Sequence, residues 1–149
     1  MDHIVYLDSK SREMESLLLG NKSMLVRGAS GRKVPHGRVS EGDTLYFVNN
    51  NCEGEIRARG VVATVFCSET LTEEESFKTI IMHQDKLQLP DNQFEKIAGK
   101  RYLILIGLEK VEKIEPFRFD RSSFTNMDDW IPVGNISEYN FYDQGIISA

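Results

Sequence analysis

Residues 17–39 read LLLGNKSMLVRGASGRKVPHGRV, and this stretch joins a helix to a strand and then to a loop. Leucines at the end of a predicted helix over residues 11–19 precede Gly20, a residue that readily ends helices. The apolar SMLV segment predicts a strand. The glycines and Pro35 beyond Ala29 predict an exposed, irregular loop. A short helix followed at once by a short strand points to an α+β fold.

The same stretch has an unusual charge. No Asp or Glu lies between Ser16 and Ser40, although the 149-residue chain has a net charge of −5. Residues 1–40 contain seven Lys or Arg and four Asp or Glu, a balance of +3, which leaves −8 for the rest of the chain. Net acidity therefore does not exclude an anionic partner, which would meet the N-terminal segment.

The remaining sequence supplies more short strands. Strands are predicted at residues 4–7, 24–27, 44–48, 56–66 and 102–108. The last of them, in RYLILIGL, is apolar at successive positions, which predicts a strand buried on both faces. A small curled sheet or barrel is the economical way to bury such strands. The length allows a single domain over residues 1–149, with 116–149 predicted to be an irregular C-terminal extension packed on it.

The clearest helix signal begins at Thr72. Thr72 and Glu75 have the spacing of a capping box, in which each side chain satisfies a backbone N–H of the first turn. Phe77, Ile80 and Ile81 follow at helical spacing and predict an apolar stripe. The structural role of Glu75 is therefore to open a helix.

Three segments in this order resemble the ASCH domain of the PUA-like superfamily. LLLGNKSMLVRG is similar to the ASCH pattern of a helix ending in Gly, then Lys, then a strand that carries Arg. EGDTLYFVNN is similar to the Gly-Asp step into a strand. GVVATVF, followed by the Thr72 helix and RYLILIGL, completes the resemblance over about residues 4–114. It implies a PUA-like curled β-barrel with helices at its rim and a cleft beside the first helix.

The resemblance also implies a class of ligand, because relatives bind RNA or modified bases. Lys22 and Arg27 are predicted to project over the cleft towards a phosphate or an acyl oxygen. The basic loop after Ala29 suits an RNA backbone. Trp130, the only tryptophan, is a candidate for base stacking, with core packing as the alternative. The candidate nucleic-acid-binding residues are Lys22, Arg27, Arg32, Lys33, Arg38 and Trp130.

The sequence does not decide whether the protein is an enzyme. Some relatives cleave RNA, and others deacetylate acetylated cytidine with a lysine, a threonine of the next strand and a glutamate of the later helix. Lys22 matches the lysine, but Leu25 occupies the threonine position and Thr79 falls near the glutamate position. The candidate catalytic residues are Lys22, Ser23, His36 and Glu75. Three functions therefore remain: an RNA or modified-nucleotide binding module, an RNA-processing enzyme such as a ribonuclease or nucleoside amidohydrolase, and a small-ligand or protein interaction domain.

Composition limits the cellular location and the cofactors that can be expected. No apolar run approaches the roughly 20 residues that span a bilayer, and the first residues lack the features of a signal peptide. Cys52 and Cys67 have no metal-binding spacing, and the histidines are scattered, so neither a metal nor another cofactor is predicted. We expect a cytoplasmic protein with reduced thiols, no membrane partner and an oligomeric state that the sequence does not indicate.

Overall fold

The structure is a computed structural model that describes residues 1–31, 35, 37–121, 124 and 129–139. Within these residues a single sheet is flanked by short helices. The strands are β1 (Asp2–Leu7), β2 (Met24–Ala29), β3 (Thr44–Asn49), β4 (Glu55–Cys67), β5 (Tyr102–Arg118) and β6 (Trp130–Gly134). The α-helices are α1 (Glu13–Leu19), α2 (Glu73–Leu87) and α3 (Asp91–Ile97), and a 3₁₀ helix spans Ile136–Tyr139. None of the described helices is long and apolar enough to cross a bilayer.

The strands form one six-stranded sheet in the order β2-β5-β4-β3-β1-β6. Strands β1 and β3 run parallel, with Ile4 opposite Tyr46, and every other neighbouring pair is antiparallel. The sheet curls into a half-barrel, so the predicted single curled sheet is confirmed.

The middle of β5 is buried on both faces, as its continuous apolar run predicts. Leu103 and Leu105 pack with Ile80 of α2 on the helical side of the sheet. Ile104 and Ile106, one residue out of phase, pack in the opposite cluster with Leu25. Because side chains alternate along a strand, burial on both faces requires consecutive apolar residues.

The C-terminal part is more regular than predicted. The expectation of an irregular extension over 116–149 is wrong for the end of β5 and for β6, which pairs with β1 at the sheet edge. Pro116 lies where the register of β4 and β5 shifts between Ile56 and Ala58, and Pro132 lies in an edge strand. Proline is tolerated at both kinds of position because no ladder N–H is needed there.

The second helix begins as predicted but buries less of its apolar stripe. Thr72 and Glu75 form both hydrogen bonds of the capping box. Ile80 is fully buried, whereas Phe77 is 41% exposed and Ile81 is 62% exposed. The helix instead turns Ser76 inward, whose Oγ accepts a hydrogen bond from the Gly99 N–H. The predicted apolar stripe is therefore buried at Ile80 and largely exposed at the other two residues.

Replacing Thr72 with alanine should lower the free energy of unfolding by about 1 kcal/mol. The Thr72 Oγ1 accepts from the Glu75 N–H over 3.1 Å, and alanine would leave that donor without a partner in the capping box. Urea unfolding measures the loss. The matched control is Thr79→Ala in the middle of α2, where alanine is the better helix former. Equal losses in both variants would contradict the prediction.

Candidate functional site

A cavity lies between α1, the segment that precedes β2, and the turn from α2 to α3. Its volume is about 530 Å³. Most side chains around it are polar. The lining residues are Asp8, Ser11, Glu13, Ser16, Lys22, Gln84, Asp85, Gln88, Leu89, Pro90 and Gln93.

Lys22 lies at the wall of this cavity and is only 3% exposed. Gly20 ends α1 with φ 82°, a left-handed conformation that suits glycine, and the chain then turns so that Lys22 enters the interior. Its Nζ donates a hydrogen bond to the carbonyl oxygen of Leu87 at the end of α2. Burial lowers the pKa of Lys22 from its ordinary value, although Glu13 opposes that shift.

Glu13 supplies the counter-charge. Its Oε2 lies 3.4 Å from the Lys22 Nζ, and its Oε1 accepts a hydrogen bond from the Asp8 N–H over 3.0 Å. The carboxylate is therefore held from both sides, with a side-chain exposure of 14%. The sequence did not indicate a role for Glu13 in the site, since an acid in the first turn of a helix already has a local explanation in the helix dipole.

Arg27 lines a smaller adjoining cavity of about 180 Å³. The two cavities share Asp8, Glu13, Leu89 and Gln93, and we call them together the cleft. The other residues around the smaller cavity are Tyr6, Val26, Asn50, Ile97 and Asp129.

The guanidinium of Arg27 is held by several groups. Its two terminal nitrogens donate to the carbonyl oxygens of Val26 and Tyr6, each over 2.9 Å. Its Nε lies 3.3 Å from Asp129 Oδ2, within ion-pair distance but outside hydrogen-bond geometry. Tyr6 belongs to β1, which is not a neighbour of β2 in the sheet, so Arg27 bridges the open side of the half-barrel.

The charge of the cleft differs from the expected basic surface. Among the lining residues, the cations Lys22 and Arg27 face four carboxylates. The four acids are Asp8, Glu13, Asp85 and Asp129. Two of these acids precede the carboxylate-free stretch and two lie far beyond it, so folding surrounds the basic stretch with acids that are remote in the sequence. The prediction of a basic cleft is wrong for the lining that the structure describes.

The other predicted cations are not brought into the cleft. Arg38 is exposed and lines neither cavity. Arg32, Lys33 and His36 lie outside the described residues. Of the candidate cations, the structure therefore brings Lys22 and Arg27 to the cleft, and contact of Arg32 and Lys33 with nucleic acid remains a prediction.

Two of the candidate catalytic residues lie away from the cleft. Ser23 is exposed and its backbone N–H donates to the Lys86 carbonyl oxygen. Glu75 is exposed, and its Oε1 accepts from the Thr72 N–H over 2.9 Å in the capping box. Neither lines the described cavities, so the structure brings neither of them to the cleft. The carboxylate beside Lys22 comes from α1 instead of α2.

Trp130 is fully buried, so core packing is confirmed and the predicted base stacking is wrong. Its Nε1 donates to His3 Nδ1 over 3.1 Å. Its burial follows from strand β6, whose apolar run is too short to be recognised from the sequence.

Amide side chains line the cleft and were also missed. The side chain of Gln84 already has partners within the protein, because its amide bonds both the N–H and the carbonyl oxygen of Leu89. Gln93 lines both cavities, and within the described part of the chain its side chain makes no hydrogen bond. A partly buried amide of this kind offers a ligand one acceptor and two donor hydrogens. No group of three or more potential metal ligands occurs among the described residues.

Comparisons with known proteins show the fold. No family model matches the chain, and no curated protein matches its sequence. The crystal structure of ASCH from Zymomonas mobilis matches with a TM-score of 0.68 at 12% identity, covering 99% of this chain and 94% of that chain. A mutant of the Z. mobilis protein matches with a TM-score of 0.67 at 12% identity, covering 99% of this chain and 96% of that chain. The chain therefore has the α+β fold of these ASCH structures.

Proposed function

We propose that the cleft binds the base of a nucleoside, either a free modified nucleoside or an unpaired nucleotide of RNA. The observation that carries the proposal is the pairing of Lys22 and Glu13 at the wall of a polar cavity of about 530 Å³. That volume lies within the range of small-ligand sites, about 300–1,000 Å³. The ASCH resemblance supports the same ligand class.

The lining chemistry suits the edge of a base. Lys22 offers N–H donors, and Glu13 accepts hydrogen bonds from an exocyclic amine. Gln93 can donate and accept at the junction of the two cavities. A ligand that meets one fixed donor and one fixed acceptor is selected by hydrogen-bond pattern, because a mismatched group would leave a buried polar atom unpaired.

The acids of the cleft support a position outside the cleft for any phosphate. Asp8, Asp85 and Asp129 surround the two cations, and Lys22 and Arg27 are already paired with carboxylates. A phosphate inside the cleft would meet like charges, so any RNA backbone stays outside it. The exposed Arg38 and the basic loop that contains Arg32 and Lys33 are the candidates for contacting that backbone.

A screen of ribonucleosides, their modified forms and short RNAs, each titrated with salt, tests the proposal. Nucleoside affinity should change little with salt, with a log–log slope of magnitude below about 1. RNA affinity should show a steeper slope, which Lys33→Ala should reduce by about one unit. No binding of any nucleoside, or a nucleoside affinity as salt-dependent as that of RNA, would contradict the proposal.

Gln93→Ala should weaken nucleoside binding about tenfold, because it removes about one net hydrogen bond. Isothermal titration calorimetry measures the change. Asn92→Ala is the matched control, since Asn92 is an exposed amide on the same helix and lines neither cavity. Equal effects of the two variants would show that Gln93 does not contact the ligand.

Hydrolysis in the same cleft is the second candidate function. It is favoured by one observation, that a carboxylate lies 3.4 Å from a buried lysine whose pKa is lowered by burial. A lowered pKa makes the Lys22 ammonium a better proton donor, and Glu13 could take or return the proton. Turnover that is lost in Lys22→Met with unchanged folding would favour this function over binding alone.

A further inference from the structure

Trp130 contacts a cleft residue although its own ring is fully buried. The guanidinium of Arg27 lies 5.6 Å from the centre of the indole ring. A cation over an aromatic face is attracted to it, and the attraction is stronger where water is excluded. Arg27 lines the smaller cavity, so the indole forms the support on which a cleft cation rests.

A hydrogen bond to His3 holds the Trp130 ring in its position. Trp130 Nε1 donates to His3 Nδ1 over 3.1 Å. An indole N–H can only donate, so His3 Nδ1 must be an acceptor, and the proton of the neutral ring must be on Nε2. His3 Nε2 lies 2.8 Å from Asp43 Oδ2, which accepts that proton in a hydrogen bond. Both rings are fully buried, so water does not compete for these bonds.

We infer that His3 and Trp130 are positioning residues of the cleft, which hold the Arg27 guanidinium at the smaller cavity, and that protonation of His3 releases it. The effect on ligand binding rests on the proposed function, whereas the coupling from His3 to Arg27 does not. A cationic imidazole has an N–H on both nitrogens, so two donors would then face each other between His3 and Trp130. The indole would lose its acceptor, and its movement would displace the surface on which Arg27 lies.

The burial of His3 and the charges around it determine the pH at which it is protonated. Asp43 faces His3 from the residue before β3, and Asp2 and the amino group of Met1 precede His3 directly in the chain. The described residues of β6 carry no charge, and from this strand the Trp130 N–H donates to His3. Burial is the largest influence and lowers the pKa of His3 below its ordinary 6.5, against the opposing effect of Asp43.

Carboxylates are the charged groups around Arg27. Asp129 faces its Nε, while Asp8 and Glu13 line the same cavity. A pH-dependent change in Arg27 that is lost when His3 is replaced would therefore report His3 and not these carboxylates.

Nuclear magnetic resonance of the ligand-free protein tests the coupling. The indole N–H signal of Trp130 is unique, because the chain has one tryptophan. It should shift as the pH is lowered from about 7.5 to about 5, and the Nε–H signal of Arg27 should shift with the same midpoint, below about 6.5. His3→Gln offers an acceptor and a donor without titrating, so both shifts should disappear. His83→Gln, on α2, is the control that should preserve them.

A second variant covers the case in which His3→Gln fails to fold. Trp130→Phe keeps an aromatic ring but removes the N–H, so the Arg27 signal should no longer follow the histidine titration. Cytidine and adenosine binding supply the functional readout, with affinity about five- to thirty-fold weaker after His3 is protonated. An Arg27 signal that is independent of pH, or that titrates equally in His3→Gln, would overturn the inference. Coupled shifts without binding of any nucleoside would support the coupling and contradict the proposed function.

Discussion

Replacing Glu13 with glutamine is expected to lower the free energy of unfolding by about 3 kcal/mol and to abolish ligand binding. The substitution leaves the Lys22 ammonium inside the protein, at 3% exposure, without its counter-ion. The Leu87 carbonyl oxygen would be its one remaining partner among those identified. Urea unfolding at neutral pH measures the loss. Glu15→Gln is the matched control, because Glu15 also lies in the first turn of α1 but lines neither cavity.

The pH dependence of this loss has a definite sign. Burial lowers the pKa of Lys22 from its ordinary 10.5, so the folded protein binds fewer protons than the unfolded chain between the native pKa and 10.5. Stability attributable to Lys22 therefore rises with pH across that window. Glu13→Gln removes an influence that raises the pKa, so the window should widen in the variant. The loss at pH 7 should shrink as the pH is raised towards 10.

A double-mutant cycle separates the structural role of the pair from its functional role. Lys22→Met leaves Glu13, 14% exposed, without its cation, and the double variant removes both charges. The two losses should not add, and the coupling energy should be about 1.5–3 kcal/mol. The double variant should fold but bind no nucleoside. A loss below about 0.5 kcal/mol in Glu13→Gln, typical of an exposed ion pair, would show that solvent screens the pair.

The fold could be predicted to a large extent from local patterns. Apolar periodicity located β1 to β5, and the capping signals of Thr72 and Glu75 located α2. These signals are local because alternation and helix caps are properties of neighbouring residues. Strand β6 depends on pairing between Ile131 and Ile4, which are remote in sequence, so no local pattern indicates it.

The candidate site was predictable only in part. Lys22 and Arg27 were placed at a cleft beside the first helix, and the structure brings both to adjoining cavities. The carboxylate partner was missed, because Glu13 reaches Lys22 only after Gly20 reverses the chain and α2 covers the lysine. Charge counted along a sequence is a poor guide to the charge of a cleft that is assembled from separate segments.

Incubation with acetylcytidine is expected to release no cytidine above background. The relatives that the sequence resembles use a hydroxyl in the strand after the lysine, and Leu25 stands at that position. An apolar side chain cannot supply a nucleophile or transfer a proton, and loss of an essential catalytic member costs on the order of 10⁴ in rate. Chromatographic detection of cytidine is the measurement. Binding of nucleosides by the same sample shows that the cleft is intact.

The position of Leu25 also predicts that restoring a hydroxyl there would not restore activity. Leu25 is fully buried in the core cluster with Met14 and Leu17 and lines neither cavity, whereas the next residue, Val26, lines the smaller one. Leu25→Thr would therefore place a hydroxyl in the apolar core, and we expect it to lower stability by about 1–3 kcal/mol without creating activity. Robust turnover by the natural chain, abolished in Lys22→Met, would show instead that Lys22 and Glu13 act without that hydroxyl.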